Sequence, residues 1–337
     1  MRMLKNLALS LLLLTSAGYA QTCYDECNPC CGGNFEVSAE WLYFMSAIDQ
    51  PYYAILNKVD DLPRADDFDG PRIANDQGWH SGYRLEAAYY LPNCFDHLRV
   101  RWTHFNNFSD SDHFASDDYW SILTHPDLGG VSGKIGIGII KDEFEFYTLE
   151  ILFGRSVYYC QGLNLTLEGG LQYSKVDLKE SVFYSFPSNR EYFIKNHSEM
   201  RGVGPELAFS FDYNINRCFS VVGRATGAYL ISKKETKAFH NQFISESLLD
   251  VQNARDEDYY IGMPTLDARA GLAFDWSFDG CGCGCIDLSF EVGYEFMHVH
   301  KGVNRIYFVD DFAEGQSFNE YMDFTLHGPY IRVGVGF

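Results

Sequence analysis

The sequence predicts an all-β protein: an antiparallel β-barrel of about ten strands crossing a membrane, with long loops on one side and short turns on the other. Three observations carry this. The stretch Gly328–Phe337, GPYIRVGVGF, sets Ile331, Val333, Val335 and Phe337 on one face and Tyr330, Arg332, Gly334 and Gly336 on the other. That is a period of two, which a strand produces and a helix does not. Similar alternating stretches recur along the chain, separated by long and short connections in turn. The first twenty residues read as a leader that takes the protein out of the cytoplasm.

A half-apolar strand ending on an aromatic residue would leave a sticky edge in water. In a closed membrane barrel both edges are paired and the apolar face meets lipid. Phe337 is therefore the expected signal for a barrel assembly machinery. At the other end, Met1–Ala20 has a basic tip (Arg2, Lys5), an apolar run through Leu14, and Gly18-Tyr19-Ala20 as a small-x-small cleavage site, the layout of a secretory signal peptide. Cleavage after Ala20 puts residues 21–34 in the periplasm as a Cys-rich segment and leaves 35–337 for the barrel of the bacterial outer membrane. A lipid-modified Cys23 fits poorly behind Gln21 and Thr22.

Composition agrees. No stretch beyond the leader approaches the length of a transmembrane helix, whereas barrel strands barely register in hydropathy. Aromatic residues make up 16% of the chain, with 23 Tyr and 27 Phe, which suits girdles at two membrane interfaces. The formal charge of −20 argues against nucleic acid as a partner. Outer-membrane lipid and lipopolysaccharide are the expected surroundings.

In chain order, Phe35–Met45 alternates and is followed by the polar stretch Ser46–Gly78. Gly82–Leu91 and Leu98–Thr103 form a pair around the brief 92–96. A long connection spans about Asn106 to Lys141, and Tyr147–Phe153 and Leu163–Tyr173 flank a short turn near Tyr159–Gly162. Val176–Met200 is the third long loop. Val203–Tyr213 and Phe219–Leu230 enclose the turn Asn214–Arg217, and Ser232–Met263 is the fourth loop. Leu266–Trp276 and Ile286–Phe296 flank Asp279–Cys285, then comes loop five, His300–Asn319, and a closing strand from Tyr321. In that last strand the apolar parity switches at Gly328-Pro329, which predicts a bulge. Lys134–Ile140 or Arg305–Val309 could add hairpins, so the strand count is about ten within a range of roughly eight to fourteen. A soluble sandwich would show turn signals at regular short spacing instead.

WLYF (Trp41–Phe44), GYRLEAAYYLPN (Gly82–Asn93), FYTLEILFGR (Phe146–Arg155), GVGPELAFSFDY (Gly202–Tyr213), LDARAGLAFDW (Leu266–Trp276) and LHGPYIRVGVGF (Leu326–Phe337) resemble, in order and spacing, the Legionella-type major outer membrane proteins. The resemblance covers nearly the whole chain after the leader. It implies an abundant surface protein and a general diffusion pore, and it transfers no residue-level site. The ten cysteines make this chain similar in one further respect to the chlamydial major outer membrane proteins, whose envelopes are cross-linked by disulfides.

The strand faces opposite the apolar ones carry Glu36, Glu40, Glu86, Glu150, Glu168, Glu206, Asp212, Asp267, Asp275, Asp287, Glu291 and Glu295, with Arg84, Arg99, Arg101, Arg224, Arg269 and Arg332. A charge facing lipid at mid-membrane costs roughly 2–4 kcal/mol, so this set must line the lumen. It is either the acid-leaning, weakly cation-preferring wall of a channel or an Arg–carboxylate plug in a narrow barrel.

Catalysis has little support: His80, His104, His113, His125, His240 and His300 lie in predicted loops or at strand ends. Asp110-Ser111-Asp112-His113 sets no base against a nucleophile. The acidic runs Asp66-Asp67-Phe68-Asp69 and Asp310-Asp311 lack the spacing of a calcium loop, and neither cofactor nor metal is expected.

Cys23, Cys27, Cys30 and Cys31 precede the first strand, Cys94, Cys160 and Cys218 sit at short turns, and Cys281, Cys283 and Cys285 fill the remaining one. All ten thus fall on the periplasmic side, where disulfides are the default. Bridged Cα atoms lie only about 4.4–6.8 Å apart, and neighbouring turns on a rim are farther apart. Some cysteines are therefore expected to pair with the N-terminal segment and others between copies or with periplasmic proteins; the alternative is a set of unrelated local bridges. The functional expectation is a passive porin for small hydrophilic solutes, against a structural envelope anchor or a surface adhesin.

Overall fold

The computed structural model describes residues 35–48, 52–56, 71–75, 77–91, 96–114, 119–121, 135–159, 162–186, 189–216, 218–244, 247–256, 259–280, 284–308 and 317–337. The leader, Cys23, Cys27, Cys30, Cys31, Cys94, Cys160, Cys281, Cys283 and both acidic runs lie outside the described residues. The strands are β1 Phe35–Ile48, β2 Tyr52–Leu56, β3 Arg72–Ala74, β4 Trp79–Tyr90, β5 Asp96–Phe114, β6 Tyr119–Ser121, β7 Ile137–Tyr159, β8 Leu163–Ser185, β9 Arg190–Asn214, β10 Phe219–Ile244, β11 Ser247–Arg255, β12 Tyr259–Gly280, β13 Gly284–Phe308 and β14 Ser317–Gly336.

Ten of these close into a ring, β1-β4-β5-β7-β8-β9-β10-β12-β13-β14 and back to β1, every pair antiparallel. β11 folds back on the far end of β10. Closure is made at the rim: the Phe35 N–H donates to the Phe337 carbonyl at 3.1 Å, and the Phe337 N–H donates to the Phe35 carbonyl at 2.9 Å. Their rings pack 5.6 Å apart. The short turns between β4 and β5, β7 and β8, β9 and β10, and β12 and β13 lie at this same end, which is the periplasmic arrangement.

The outer wall is apolar because it meets lipid. Leu85, Leu98, Val100, Ile151, Phe153, Leu167, Leu171, Leu207, Leu272, Val292 and Val333 are all exposed. An aromatic girdle bounds this belt on the side away from the turns, where Trp41 and Tyr43 stack, Tyr43 stacks on Trp79, and Tyr147 meets Tyr173 edge-on. Beyond the girdle the outward positions are charged. Lys175 bridges Glu145, Asp177 and Glu199, and Lys179 pairs with Glu143.

The strands outrun the bilayer. A membrane strand needs about 9–11 residues, whereas β8, β9, β10 and β13 have 23, 25, 26 and 25. This corrects the predicted loops: most of Val176–Met200 is a hairpin that keeps β8 and β9 in register up to Ser185 and Glu191. Much of Asn106–Lys141, Ser232–Met263 and His300–Asn319 likewise extends neighbouring strands, so the described parts of the two expected extra hairpins, 137–140 and 305–308, belong to β7 and β13. Above the lipid a strand still alternates, but with polar residues outside and apolar ones inside, so a hydropathy reading stops where the belt stops.

The predicted bulge at Gly328-Pro329 is also corrected. There the register runs unbroken, Glu295 opposite Gly328 and Tyr294 opposite Pro329; the irregularity lies at Val299/Val303. The parity switch has another cause. Ile331 and Val333 face lipid, whereas Phe324 and Leu326 point into the lumen and are buried. Over the mouth, β2, β3 and β6 form a small sheet, and Tyr53 and Ala54 pack against Ile140, Val182, Tyr184 and Ile194.

Candidate functional site in the barrel lumen

All of the predicted lumen residues project inward: Glu40, Arg84, Glu86, Arg99, Arg101, Glu150, Glu168, Glu206, Arg224, Asp267, Arg269, Glu291 and Arg332 lie on the face opposite the exposed apolar positions of their strands. The register then decides who meets whom. Glu40 is opposite Arg84, Glu86 opposite Arg101, and Arg101 opposite Glu150.

On the β13-β14-β1-β4-β5 wall these groups form a paired ionic network. Arg84 donates to Glu40 at 2.7 Å, to Glu295 at 2.5 and 2.8 Å, and through Nε to Thr103 at 2.9 Å. Arg269 also donates to Glu40, at 2.9 Å. Arg101 bridges Glu86 (2.9 Å) and Glu150 (3.4 Å), and Arg99 bridges Glu86 (3.1 Å) and Glu168 (3.0 Å). Arg332 reaches Glu36 at 2.7 Å and Glu86 at 3.2 Å, while the Tyr330 hydroxyl donates to Glu291. Planar guanidinium forks suit this sharing of carboxylates.

The β8-β9-β10-β12 wall is different. Asn164 Oδ1, both oxygens of Glu206, Asp212 Oδ1, Nε and Nη2 of Arg224, Thr226 Oγ1 and Asp267 Oδ1 are buried and have no hydrogen-bond partner among the described residues. Arg224 holds Glu168 through Nη1 alone. Asn164, Ser210, Asp212 and Arg224 line one side of a cavity of about 150 Å³, and Arg99, Arg269, Glu291 and Arg332 line it from the network side. The structure therefore joins Glu40, Glu86, Glu150, Glu168, Glu291 and the arginines, and leaves Glu206, Asp212 and Asp267 outside that network.

Above both walls stands an apolar collar, which the sequence reading missed. One cross-strand row, Leu42, Gly82, Phe105, Phe146, Val176 and Met200, runs from β1 to β9. Leu230, Met263, Met297, Val299, Phe324 and Leu326 belong to the same cluster. Phe324 packs edge-on against Phe144 and Phe146, with ring centroids 5.0 and 5.6 Å away. β4 contributes Gly82, where a Cβ would lie 3.0 Å from the Phe105 ring. The signal that would have found the collar is the parity switch in β14.

Beyond the collar lies a second polar layer. Asn75 and Gln77 donate to Asp142 at 2.7 and 2.9 Å, and Asn107 donates to Ser46 at 2.6 Å. At the turn side Cys218, between β9 and β10, is exposed, and its thiol pairs with no cysteine among the described residues.

Comparison with solved structures gives only distant likenesses. The outer membrane protease OmpT of Escherichia coli is 8% identical, with a TM-score of 0.40, over 90% of this chain and 95% of that one. The toluene transporter TodX of Pseudomonas putida is 11% identical, with a TM-score of 0.36, over 91% and 90%. A FadL homologue of Pseudomonas aeruginosa is 8% identical, with a TM-score of 0.29, over 89% of each chain. No curated protein sequence matches this chain. Residues 27–337 match the family model described as Legionella pneumophila major outer membrane protein precursor, and the chain, a β-barrel of the bacterial outer membrane, belongs to that family.

Proposed function

We propose that this barrel is a gated pore through which small hydrophilic solutes diffuse passively, with a modest preference for cations, and that the conformation described is its closed one. The observation that carries this is the unpaired polar wall along β8, β9, β10 and β12. A plug pairs its polar groups, because a buried polar group without a partner costs roughly 1–3 kcal/mol. Glu206, Asp212, Asp267 and the free edge of Arg224 instead have the chemistry of a wetted path, since buried groups without protein partners are satisfied by water. Three of those four are carboxylates, which favours cations.

The collar supplies the gate, since an apolar constriction shuts a pore by excluding water. A second reading, a closed barrel that anchors the envelope, draws on the ion pairs of the opposite wall. Single-channel recording of the refolded protein separates the two. The wild-type protein is expected to show brief, small openings, and Phe144→Ala combined with Phe324→Ala to raise the conductance. Silence from both would favour the anchor.

A further inference from the structure

Outside the lumen, β13 and β14 share a bulge. Their register shifts between Val299 and Val303, so residues 300–302 stand opposite the single residue Asp323. Lys301 takes φ +55° there, a left-handed conformation that non-glycine residues rarely adopt. This turns the Lys301 N–H onto Asp323 Oδ1 at 2.8 Å. It also brings His300 beside the same carboxylate, with Nδ1 2.8 Å from Oδ1 and 2.9 Å from Oδ2. His298, two residues earlier on the outward face, places Nε2 3.6 Å from Asp323 Oδ2. These three side chains follow Tyr294, Phe296 and His327 along the outer wall, just beyond the aromatic girdle on the side away from the turns.

We propose that His298, His300 and Asp323 form a binding site for a divalent transition-metal ion of the zinc type on the outer wall of the barrel. One donor atom from each of the three lies within 4.8 Å of the other two. Donor atoms around a tetrahedral zinc ion at about 2.0–2.1 Å stand about 3.3 Å apart, and the distances from Asp323 Oδ2, 2.9 Å to His300 Nδ1 and 3.6 Å to His298 Nε2, bracket that spacing. Two imidazoles and a carboxylate, with no thiolate, select first-row divalent ions over calcium or magnesium.

The outer partner is in place as well. His298 Nδ1 lies 3.1 Å from Thr325 Oγ1; in the tautomer that donates Nδ1–H to that hydroxyl, the Nε2 lone pair faces the carboxylate. In that tautomer a cation, a proton or a metal, fits between the two facing lone pairs. Such a hydrogen bond on the far ring nitrogen is what orients metal-binding histidines.

The barrel carries a second trio of similar composition, Asp177, His197 and Glu199, and the comparison favours the first. Lys175 lies 3.3 Å from Asp177 and 3.7 Å from Glu199, and Arg201 also pairs with Glu199, so protein cations already neutralise that trio. Asp323 is faced by the two histidines and the Lys301 N–H, while the Lys301 ammonium lies over the Tyr321 ring. With three protein donors, the ion keeps a coordination position open to the outside for water or an anionic headgroup.

The test uses the refolded full-length barrel in detergent micelles, its thiols blocked with N-ethylmaleimide so that the cysteines cannot bind metal. Zinc is titrated against a chromogenic chelator, and folding of every variant is checked by heat-modifiable gel mobility. The wild type is expected to take up a single zinc ion. His298→Ala, His300→Ala and Asp323→Asn should each weaken binding by at least about tenfold, and Thr325→Val by roughly tenfold, the usual effect of losing an outer partner. His197→Ala should bind as the wild type does. Copper(II) resonance spectra should report two nitrogen ligands, reduced to one in folded His300→Ala. No zinc uptake by the wild type, unchanged affinity in folded His298→Ala/His300→Ala, or loss of binding in His197→Ala alone would overturn the assignment.

Discussion

Arg84 and Glu295, 211 residues apart in the chain, meet at 2.5 Å in the lumen with side chains 1% and 0% exposed. The same guanidinium reaches Glu40, so one cation serves two carboxylates with no access to solvent. Removing one partner of a buried pair costs about 3–5 kcal/mol, because the other charge stays buried without compensation. Arg84→Ala should therefore lower the stability of the refolded barrel by at least that amount. Arg84→Lys should recover only part of it, since an ammonium cannot reproduce the fork. Urea unfolding in micelles, followed by tryptophan fluorescence, measures both; a wild-type midpoint for Arg84→Ala would mean that this network does not hold the barrel together.

Selectivity should depend on the unpaired wall. Glu206→Gln combined with Asp267→Asn removes two carboxylates without touching the arginine network. Reversal potentials across a salt gradient should move toward neutrality in this variant, most clearly at low ionic strength where screening is weak. An unchanged potential would place the ion path elsewhere.

The polar layer above the collar should respond to pH. Burial, followed by the charge of Glu180, pushes the Asp142 carboxyl up to about 7, although Asn75 and Gln77 donate to it. Between the ordinary carboxylate range, about 3.9, and that value the folded form keeps a proton that an unfolded one has lost. Stability is thus fully present at the acid end and falls as pH rises through about 7. The 71–75 segment over the mouth should exchange its amide hydrogens more slowly near pH ~5 than near pH ~8 after correction for intrinsic rates. Asp142→Asn should flatten the difference, and a larger difference in that variant would refute this role.

Assembly should depend on Phe337, whose N–H and carbonyl close the ring onto Phe35. Deleting it, or Phe337→Asp, should reduce insertion and leave unfolded protein in the periplasm. Undiminished outer-membrane levels with heat-modifiable mobility would defeat this.

Cys218 is exposed at the turn rim and bonds to no cysteine among the described residues. Non-reducing gels of envelopes should show high-mass species that collapse with reductant and are diminished in Cys218→Ser. A single monomer band without reductant would rule out linkage to other copies or periplasmic proteins.

The sequence by itself determined the barrel, because lipid imposes a strict rule on every strand that crosses it. Each outward residue must be apolar and each charge must turn inward, so Leu85 and Leu207 could be assigned to lipid and Arg84 and Glu206 to the lumen by counting in twos. The short turns and the total of ten ring strands followed from the same alternation. Tertiary structure alone decided what happens inside and above the bilayer. Alternation assigns a face but not a height, and the stagger between strands sets which inward residues share a level. Arg84 therefore finds Glu295 from the far side of the sequence, while Glu206 finds no hydrogen-bond partner among the described residues. Above the belt water replaces lipid and the rule inverts: Phe324 and Leu326 turn inward and Asp323 outward, and a switch that reads locally as a bulge is in fact the edge of the collar.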